Sequence, residues 1–322
     1  MKLLVTGGAG YIGSVVSADL VASGHEVVIL DDLTTGHADA VPQGCRLVVG
    51  DVRVDAGNLL AEGGFDGILH FAAKSLVGES MANPTKYWDV NVGGSLALMQ
   101  AAITAKIPRF IFSSSAAAYG NSEQMPIRED SPTSPTNPYG ATKLAVDLML
   151  AGICTAYGIG GVSLRYFNVG GAVGRFGERH VTETHLVPTI LQAATGDRDV
   201  FEIFGDDWPT PDSTCVRDYL HVADLASAHL LALAACRPSQ HLVVNLGTGS
   251  GYSVREVLSA AERVVGHVIP SRVVPRRAGD PAVLVASAAL AGSVLGWVPS
   301  RSLDTLIADA WRFAQINPGN SQ

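Results

Sequence analysis

A glycine-rich segment near the start of the chain limits the fold more than any other stretch. Leu3–Val5 predicts a short buried strand, and the apolar spacing from Val15 to Val21 predicts a helix. Three glycines lie between them in the pattern G-x-x-G-x-x-G: Gly7, Gly10 and Gly13. A strand, a tight turn and a helix N-terminus in this order present backbone N–H groups to a pyrophosphate. The segment therefore predicts the first unit of a Rossmann-type dinucleotide-binding fold.

The acidic residues after the second predicted strand indicate which dinucleotide binds. Glu26–Leu30 predicts that strand, and Asp31 and Asp32 follow it. A carboxylate at this position can accept a hydrogen bond from the 2′-hydroxyl of the adenosine ribose, and it repels a 2′-phosphate. We therefore expect NAD rather than NADP as the cofactor.

Strands and helices continue to alternate through the first half of the chain, which predicts an α/β fold with a doubly wound parallel sheet. A long helix is predicted over Pro84–Lys106. Four more strands bring the predicted sheet to six: Arg46–Val49, Gly67–Phe71, Phe110–Phe112 and Val162–Phe167. We assign residues 1–167 to an NAD-binding domain and residues 168–322 to a smaller C-terminal substrate-binding lobe. The two are expected to interlock, with some later segments returning to the first domain.

The segment Ser131–Lys143 ends by placing a tyrosine and a lysine four residues apart. Proline does not fit inside a helix, so a helix is predicted to begin after Pro138, and Tyr139 and Lys143 then share one face of it. A phenol titrates near ~10 in water and needs a fixed cation to act as a base at neutral pH. Lys143 can supply that cation. The alternative is an ordinary pair on a solvated helix face.

Several polar residues lie where parallel strands end, and each has more than one interpretation. Asp51 either meets the adenine or caps a helix, and Asn91 is either a cofactor contact or a core amide. Ser115 is the last of three serines after the Phe110–Phe112 strand, and we select it as a hydroxyl that touches substrate. A group of arginines either binds a phosphorylated ligand or forms surface ion pairs: Arg217, Arg276 and Arg277.

Composition argues against several classes of function. The net charge of −8 and the pI near 5.5 disfavour binding to nucleic acid or to anionic membranes through the overall field. The cysteines at positions 45, 154, 215 and 236 have no paired spacing and fit a reducing compartment. The histidines form neither H-E-x-x-H nor any other zinc-binding pattern, so we expect no metal site. With no signal-peptide or membrane-span pattern, we expect a cytoplasmic protein.

Motifs spread over nearly the whole chain resemble one known family. They are T-G-G-A-G-Y-I-G at 6–13, D-D-L at 31–33, G-D-V-R at 50–53, V-G-E-S at 77–80, F-I-F-S-S-S-A-A-A-Y-G at 110–120, Y-G-A-T-K at 139–143, L-R-Y-F-N at 164–168, V-R-D-Y-L-H-V-A-D-L at 216–225 and R-R-A-G-D at 276–280. In this order they resemble the UDP-glucose 4-epimerases of the extended short-chain dehydrogenase/reductase superfamily. The glycine motif and Y-G-A-T-K are shared across the superfamily. V-G-E-S, R-Y-F-N and V-R-D-Y-L-H-V together indicate a nucleotide-sugar epimerase.

The resemblance implies a tightly bound NAD, a UDP-sugar substrate and a homodimer that packs through the helices beginning near Pro84 and Tyr139. The residues expected at the cofactor are Gly7, Gly10, Tyr11, Ile12, Gly13, Asp31, Asp32, Asp51, Val52, Phe71, Ala72, Ala73, Asn91, Tyr139, Lys143 and Phe167. The residues expected at the substrate are Ser115, Tyr139, Asn168, His185, Leu186, Phe204, Arg217, Arg277, Asp280 and Leu284. Ser115, Tyr139 and Lys143 are expected to be catalytic.

The implied reaction interconverts UDP-galactose and UDP-glucose through a transient 4-keto sugar. Tyr139 takes the proton of the sugar 4-hydroxyl, and Ser115 relays or orients that proton. Two positions depart from the family pattern. Lys74 is displaced by one place from a lysine near the cofactor, and His185 stands where relatives have an asparagine.

Three alternatives to this reaction are open. The first is another UDP-sugar, such as UDP-GlcNAc or a UDP-pentose. In the resembling family, the position of Leu284 carries either a tyrosine, which excludes an N-acetyl group from the hexose pocket, or a smaller residue, which admits it. We therefore expect slow turnover of UDP-GlcNAc. The other interpretation is that Leu284 is an ordinary core leucine. The second is a dehydratase, which is disfavoured because Ala116 and Ala117 follow Ser115 with no acidic pair. The third is a non-enzymatic NAD-binding module.

Overall fold

The computed structural model describes residues 1–180, 183–277 and 280–316. The elements of the first half are β1 (Lys2–Thr6), α1 (Tyr11–Ala22), β2 (Glu26–Asp31), β3 (Arg46–Val49), α2 (Val52–Ala61), β4 (Gly67–His70), α3 (Val77–Ala82), α4 (Pro84–Tyr87), α5 (Gly94–Thr104), β5 (Arg109–Ser115), α6 (Pro138–Tyr157) and β6 (Gly160–Tyr166). Those of the second half are β7 (Asn168–Gly170), α7 (Leu186–Thr195), β8 (Phe201–Phe204), β9 (Val216–Arg217), β10 (Tyr219–His221), α8 (Val222–Ala235), β11 (His241–Leu246), β12 (Tyr252–Ser253), α9 (Val254–Val265), β13 (Ser271–Val274), β14 (Val283–Leu284), α10 (Ala289–Leu295) and α11 (Leu303–Ile316).

Among the described residues, seven parallel strands form one sheet in the order β11-β6-β5-β4-β1-β2-β3. The expectation of six strands is therefore wrong, because β11 pairs with β6 along its whole length. β11 is reached only after a long excursion through the second half, so its local sequence does not show which sheet it joins. α8 likewise packs on this sheet. The domain boundary at residue 168 stays a prediction.

Helices cover both faces of this sheet, as in a doubly wound α/β fold. Leu3 and Val5 point to the face that α1 and α8 cover. Leu4 and Leu30 point to the opposite face, which α2, α5 and α6 cover. Strands that are buried on both faces are apolar at most positions, which is why they were recognisable as nearly continuous apolar runs. The carboxyl ends of the strands stay uncovered and form one side of a cleft.

The second half of the chain forms a smaller lobe with its own core. α7, α9 and α11 pack together with β8 and β13 around one buried apolar cluster. α9 begins with a reciprocal cap, in which the Ser253 hydroxyl accepts the Glu256 N–H and the Glu256 carboxylate accepts the Ser253 N–H. None of the described helices is long and apolar enough to cross a membrane.

Two predicted helices begin or continue differently from expectation. α6 begins at Pro138, one residue earlier than predicted, because proline lacks only an N–H that has no partner at a first helical position. The side chain of Asn137 caps this helix by accepting the Gly140 N–H at 2.9 Å. The predicted helix over Pro84–Lys106 is divided, since a π-helical turn at Trp88–Gly93 separates α4 from α5.

Candidate active site

A cleft of about 810 Å³ runs along the carboxyl ends of the strands and between the two lobes. Most of the predicted site residues line it: Gly7, Gly10, Tyr11, Ile12, Gly13, Asp31, Asp32, Asp51, Val52, Phe71, Ala72, Ala73, Ser115, Tyr139, Lys143, Phe167, Asn168, His185, Leu186, Arg217, Asp280 and Leu284. Three predicted residues do not belong to its lining: Asn91, Phe204 and Arg277. One cleft thus brings together the glycine turn, the Tyr139 helix and the residues predicted for the substrate.

The glycine turn packs closely against neighbouring backbone. A Cβ at Gly7 would lie 2.6 Å from the Ala72 backbone nitrogen, and one at Gly13 would lie 2.2 Å from the Gly7 carbonyl oxygen. Neither position therefore admits a side chain. Gly10 is the N-cap residue of α1, and its lack of a side chain leaves the first N–H groups of that helix uncapped. These groups face the cleft and suit the pyrophosphate of a dinucleotide.

Asp31 lies at the end of β2, where the cofactor ribose was expected. Its carboxylate accepts the Ala9 N–H and the Leu33 N–H, both at 2.9 Å. Burial raises the pKa of this carboxyl, and the two backbone hydrogen bonds oppose the rise. Asp31 therefore holds the glycine turn and its own loop together while it lines the cleft.

Three residues with open interpretations are clarified by their contacts. Asp51 is the N-cap residue of α2 and accepts the Arg53 N–H at 2.8 Å, so the capping interpretation is confirmed. Asn91 is buried and its amide bonds the Lys74 backbone at 2.8 and 3.0 Å and the Thr142 hydroxyl at 3.0 Å, as a core amide does. The displaced Lys74 lines the cleft, where its ammonium donates to the Thr34 hydroxyl at 2.7 Å.

Ser115, Tyr139 and Lys143 meet where β5 ends and α6 begins. The Lys143 ammonium donates to the Ser113 carbonyl at 2.6 Å and lies 5.8 Å from the centre of the Tyr139 ring. The two elements approach each other closely because Gly140 has no side chain. A Cβ at Gly140 would lie 2.3 Å from the Ala117 carbonyl oxygen.

Burial determines the acid–base properties of this group. It raises the pKa of the Tyr139 phenol, and a side-chain hydrogen bond with Ser115 opposes the rise. Burial also lowers the pKa of the Lys143 ammonium to about 8, although the charge of Asp147 favours the protonated form. The phenol is a weaker acid here than in water, so its use as a base depends on positive charge near its oxygen.

A buried ion pair behind β5 was not foreseen from the sequence. The guanidinium of Arg165 lies 2.9 Å from the Asp147 carboxylate, and the two side chains are only 6% and 3% exposed. The Ser114 hydroxyl donates to the same carboxylate at 3.1 Å. Asp147 follows Lys143 by one helical turn, and that spacing is the signal that could have revealed it.

The residues predicted for the substrate form the opposite part of the cleft. Arg217 lies 3.8 Å from the Asp280 carboxylate, and in the small sheet it stands opposite Leu284. Leu284 packs against an apolar cluster that includes Ala116 and Phe167. Leu284 therefore lies beside the same apolar cluster as Ala116, which follows Ser115, and it lines the cleft.

Two other arginines lie outside this arrangement. Arg276 pairs with Asp207 at 2.6 Å, so the ion-pair interpretation is confirmed for it. The Arg277 guanidinium lies 3.8 Å above the centre of the Phe204 ring, and neither of these two residues lines the cleft. Their predicted contact with substrate stays a prediction.

The model of the NAD dependent epimerase/dehydratase family matches residues 3–247 of the chain. The chain belongs to this family. A curated UDP-glucose 4-epimerase from Corynebacterium glutamicum is 52% identical over 314 residues, which are 97% of this chain and 95% of that protein. One from Streptomyces lividans is 53% identical over 324 residues, which are 98% of this chain and 97% of that protein.

The solved structures agree with this family assignment. The UDP-glucose 4-epimerase of Stenotrophomonas maltophila, crystallised with NAD and formylated UDP-arabinopyranose, superposes with a TM-score of 0.95. It is 42% identical to this chain, and the match covers 98% of both. The Rossmann-type fold is thereby confirmed, and NAD is the cofactor of this epimerase/dehydratase-family chain.

One further group lies at the cleft of this family member, and His185 is its only residue that was predicted from the sequence as part of the site. Glu178 and Glu183 are buried carboxylates, and each lies 2.8 Å from the His185 ring. Burial opposes protonation of His185, yet the ion pairs with both carboxylates outweigh it and raise the histidine pKa to about 10. Glu178 and His180 line the cleft beside His185. The residues lie in a loop, so no helical or strand period connects them, and the only signal is the spacing E-x-H-x-x-E-x-H.

Proposed function

We propose that Ser115, Tyr139 and Lys143 perform the proton transfers of a UDP-glucose 4-epimerase reaction in this chain. The reaction class follows from relatives that match nearly the whole chain at 52% and 53% identity. The chain interconverts UDP-galactose and UDP-glucose through a transient 4-keto sugar. The observation that carries the residue assignment is the convergence of these three side chains in the cleft that also holds the glycine turn.

The Tyr139 phenolate removes the proton of the sugar 4-hydroxyl. When bound, NAD would supply a hydride acceptor for C4 and the positive charge of its nicotinamide. The Lys143 ammonium, 5.8 Å from the centre of the Tyr139 ring, supplies a positive charge that counters the effect of burial on the phenol. Ser115 orients the 4-hydroxyl. General-base assistance of this kind is worth about 10²–10⁴-fold in rate.

The nucleotide end of the substrate must be held firmly while the sugar end stays free to rotate. Epimerisation returns hydride to the other face of C4, so the keto sugar has to turn while the nucleotide stays bound. Arg217 is the guanidinium that lines the cleft near Asp280, and we assign it to the diphosphate. Leu284 and Phe167 offer the hexose apolar surface with no directional contact, which permits that rotation.

A single incubation distinguishes the candidate functions. The purified protein is mixed with UDP-galactose without added NAD, and the products are identified by chromatography and mass spectrometry. An epimerase with resident NAD forms UDP-glucose. A dehydratase forms a product that has lost water, and a binding module leaves the substrate unchanged.

A second candidate is favoured by one residue. Leucine at position 284 leaves the hexose end of the cleft without the ring and hydroxyl of a tyrosine. An N-acetyl group at C2 of the hexose would then be admitted, so UDP-GlcNAc is proposed as a slower second substrate. Comparison of the specificity constants for UDP-glucose and UDP-GlcNAc tests this.

We also propose that the chain forms a homodimer in the cytoplasm. Leu96 on α5 and Leu148 on α6 are 40% and 67% exposed, although both are large apolar side chains on adjacent helices. A partner that covers them would remove this apolar surface from water. The four cysteines are unpaired, which fits a reducing compartment.

A further inference from the structure

Four side chains of one loop converge on a single point at the edge of the cleft. Glu178, His180, Glu183 and His185 each offer one ligand atom, and these atoms all lie within 4.8 Å of one another. Glu178 Oε1 lies between the two imidazoles, 2.9 Å from His180 Nδ1 and 2.8 Å from His185 Nδ1. The loop ends where α7 begins.

We propose that these four side chains bind one divalent transition-metal ion, with Zn²⁺ as the preferred ion. Two imidazole nitrogens and two carboxylate oxygens form a complete four-coordinate set of ligand types that Zn²⁺ accepts. Zinc bonds of about 2.0–2.1 Å place tetrahedral ligand atoms about 3.3 Å apart. The three Glu–His contacts of 2.8–2.9 Å would widen by about half an ångström to reach that spacing, and the other pairs of ligand atoms, which all lie within 4.8 Å, would adjust to the same spacing.

The charge of this Glu–His cluster also favours a cation. The Glu178 and Glu183 side chains are only 9% and 7% exposed, and in the metal-free chain the His185 ring, 2.8 Å from both carboxylates, is their neighbouring positive charge. Arg179 adds no further charge, because its guanidinium is held by the Asp39 carboxylate at 2.7 and 2.8 Å. A divalent ion would replace the His185 proton as the counter-charge of both carboxylates, and both imidazoles would then be neutral, which is the form that binds metals.

The position of the site assigns the ion a structural role. Glu178, His180 and His185 line the cleft, and His185 is the N-cap residue of α7. Two backbone N–H groups hold the Glu183 carboxylate at 2.7 Å, so this ligand is oriented independently of the ion. The ion would tie the loop to the start of α7 and fix one wall of the substrate cleft. This departs from the expectation of no metal site, which rested on the absence of H-E-x-x-H and of any other recognised zinc pattern.

The test measures metal binding rather than turnover, so its outcome is independent of the proposed catalytic residues. The untagged protein is stripped with a chelator and titrated with Zn²⁺ by calorimetry, and its metal content is then measured by mass spectrometry. We expect one Zn²⁺ per chain and a raised melting temperature. Co²⁺ in the same site should show the strong visible absorption of a four-coordinate ion. Failure to bind one equivalent of Zn²⁺ would overturn the proposal.

Variants locate the site. His180→Gln combined with Glu183→Gln removes two ligands and should weaken Zn²⁺ binding at least about 100-fold. The matched control, His25→Gln combined with Glu123→Gln, removes one imidazole and one carboxylate elsewhere and should bind as wild type does. If the double variant does not fold, His180→Gln alone must show the weakened binding, since its ring is 26% exposed and tolerates replacement. Unchanged affinity in the folded ligand variant would place the ion elsewhere and refute the assignment.

Discussion

At the scale of single residues, burial decides how the catalytic group behaves. Lys143 is 3% exposed, and its ammonium has only the Ser113 carbonyl as a close hydrogen-bond partner among the described contacts. The pKa of this lysine is consequently lowered to about 8 from 10.5. The buried Lys143 ammonium is available to stabilise the Tyr139 phenolate, and its burial also destabilises the folded protein.

Replacing Lys143 with methionine should therefore change how stability depends on pH. Between about pH 8 and 10.5 the folded wild type binds fewer protons at this lysine than the unfolded chain does. The contribution of Lys143 to the free energy of unfolding is thus least favourable below pH 8. It becomes more favourable as the pH rises, by at most about 1.4 kcal/mol per pH unit. Urea unfolding of both proteins across this range measures the difference. A difference that does not vary with pH would contradict the burial argument.

Leu284→Tyr should narrow the choice of sugar. The added ring and hydroxyl would project from β14 into the end of the cleft near Ala116 and Phe167. We expect the variant to lose turnover of UDP-GlcNAc by at least about tenfold while kcat/KM for UDP-glucose stays within about threefold, since an excluded group changes transition-state binding of one sugar only. Equal losses on both sugars, or no UDP-GlcNAc turnover by wild type, would show that Leu284 does not set the pocket size.

At the scale of elements, the site depends on how closely α6 approaches the end of β5. Gly140 allows that approach, because a Cβ there would meet the Ala117 carbonyl oxygen at 2.3 Å. The same helix carries Tyr139 and Lys143, so any displacement of α6 moves both away from Ser115. Gly152, further along this helix, has no such constraint, because a Cβ there would meet no described atom outside its own helix within 4 Å.

Gly140→Ala should lose at least about tenfold in kcat while the protein still folds, because a small displacement of catalytic groups has a large effect on rate. Gly152→Ala is the matched control on the same helix. It should keep full activity and raise the free energy of unfolding by about 0.5–1 kcal/mol, as alanine does in a helix interior. Full activity in Gly140→Ala would show that the spacing of α6 and β5 does not determine catalysis.

The sequence predicted the local features of this site and missed the contacts between distant segments. The glycine turn, Asp31 and the Tyr139–Lys143 pair were recognisable because each depends on spacing within one strand–turn–helix unit or one helix. The role of Asn91 was left open because its partners, Lys74 and Thr142, are distant in sequence.

Two other features were beyond the reach of local patterns. The seventh strand, β11, was missed because its pairing with β6 is set by tertiary packing and not by its own composition. The grouping of Glu178, His180 and Glu183 with His185 was missed because these positions have no regular period, so ligand atoms that meet in space appear unrelated along the chain.

At the scale of the whole molecule, the exposed apolar side chains of α5 and α6 support the proposed homodimer. Leu148→Asp should convert that proposed dimer into a monomer, because a carboxylate at the centre of an apolar interface would be desolvated without a partner. Val54 on α2 is 71% exposed and offers a matched control, so Val54→Asp should leave the dimer intact. Sedimentation measures both. A wild type that sediments as a monomer, or a Leu148→Asp protein that stays dimeric, would refute this interface.

The role of Tyr139 as the base of a 4-epimerase is tested most directly by the turnover of UDP-galactose without added NAD, measured side by side for wild type and Tyr139→Phe. The substitution removes the phenol oxygen and leaves the ring, so the fold and the bound NAD content should be unchanged. We predict that wild type forms UDP-glucose and that Tyr139→Phe is slower by at least about 100-fold in kcat. Turnover by the variant within about threefold of wild type, or no UDP-glucose from wild type, would contradict this role.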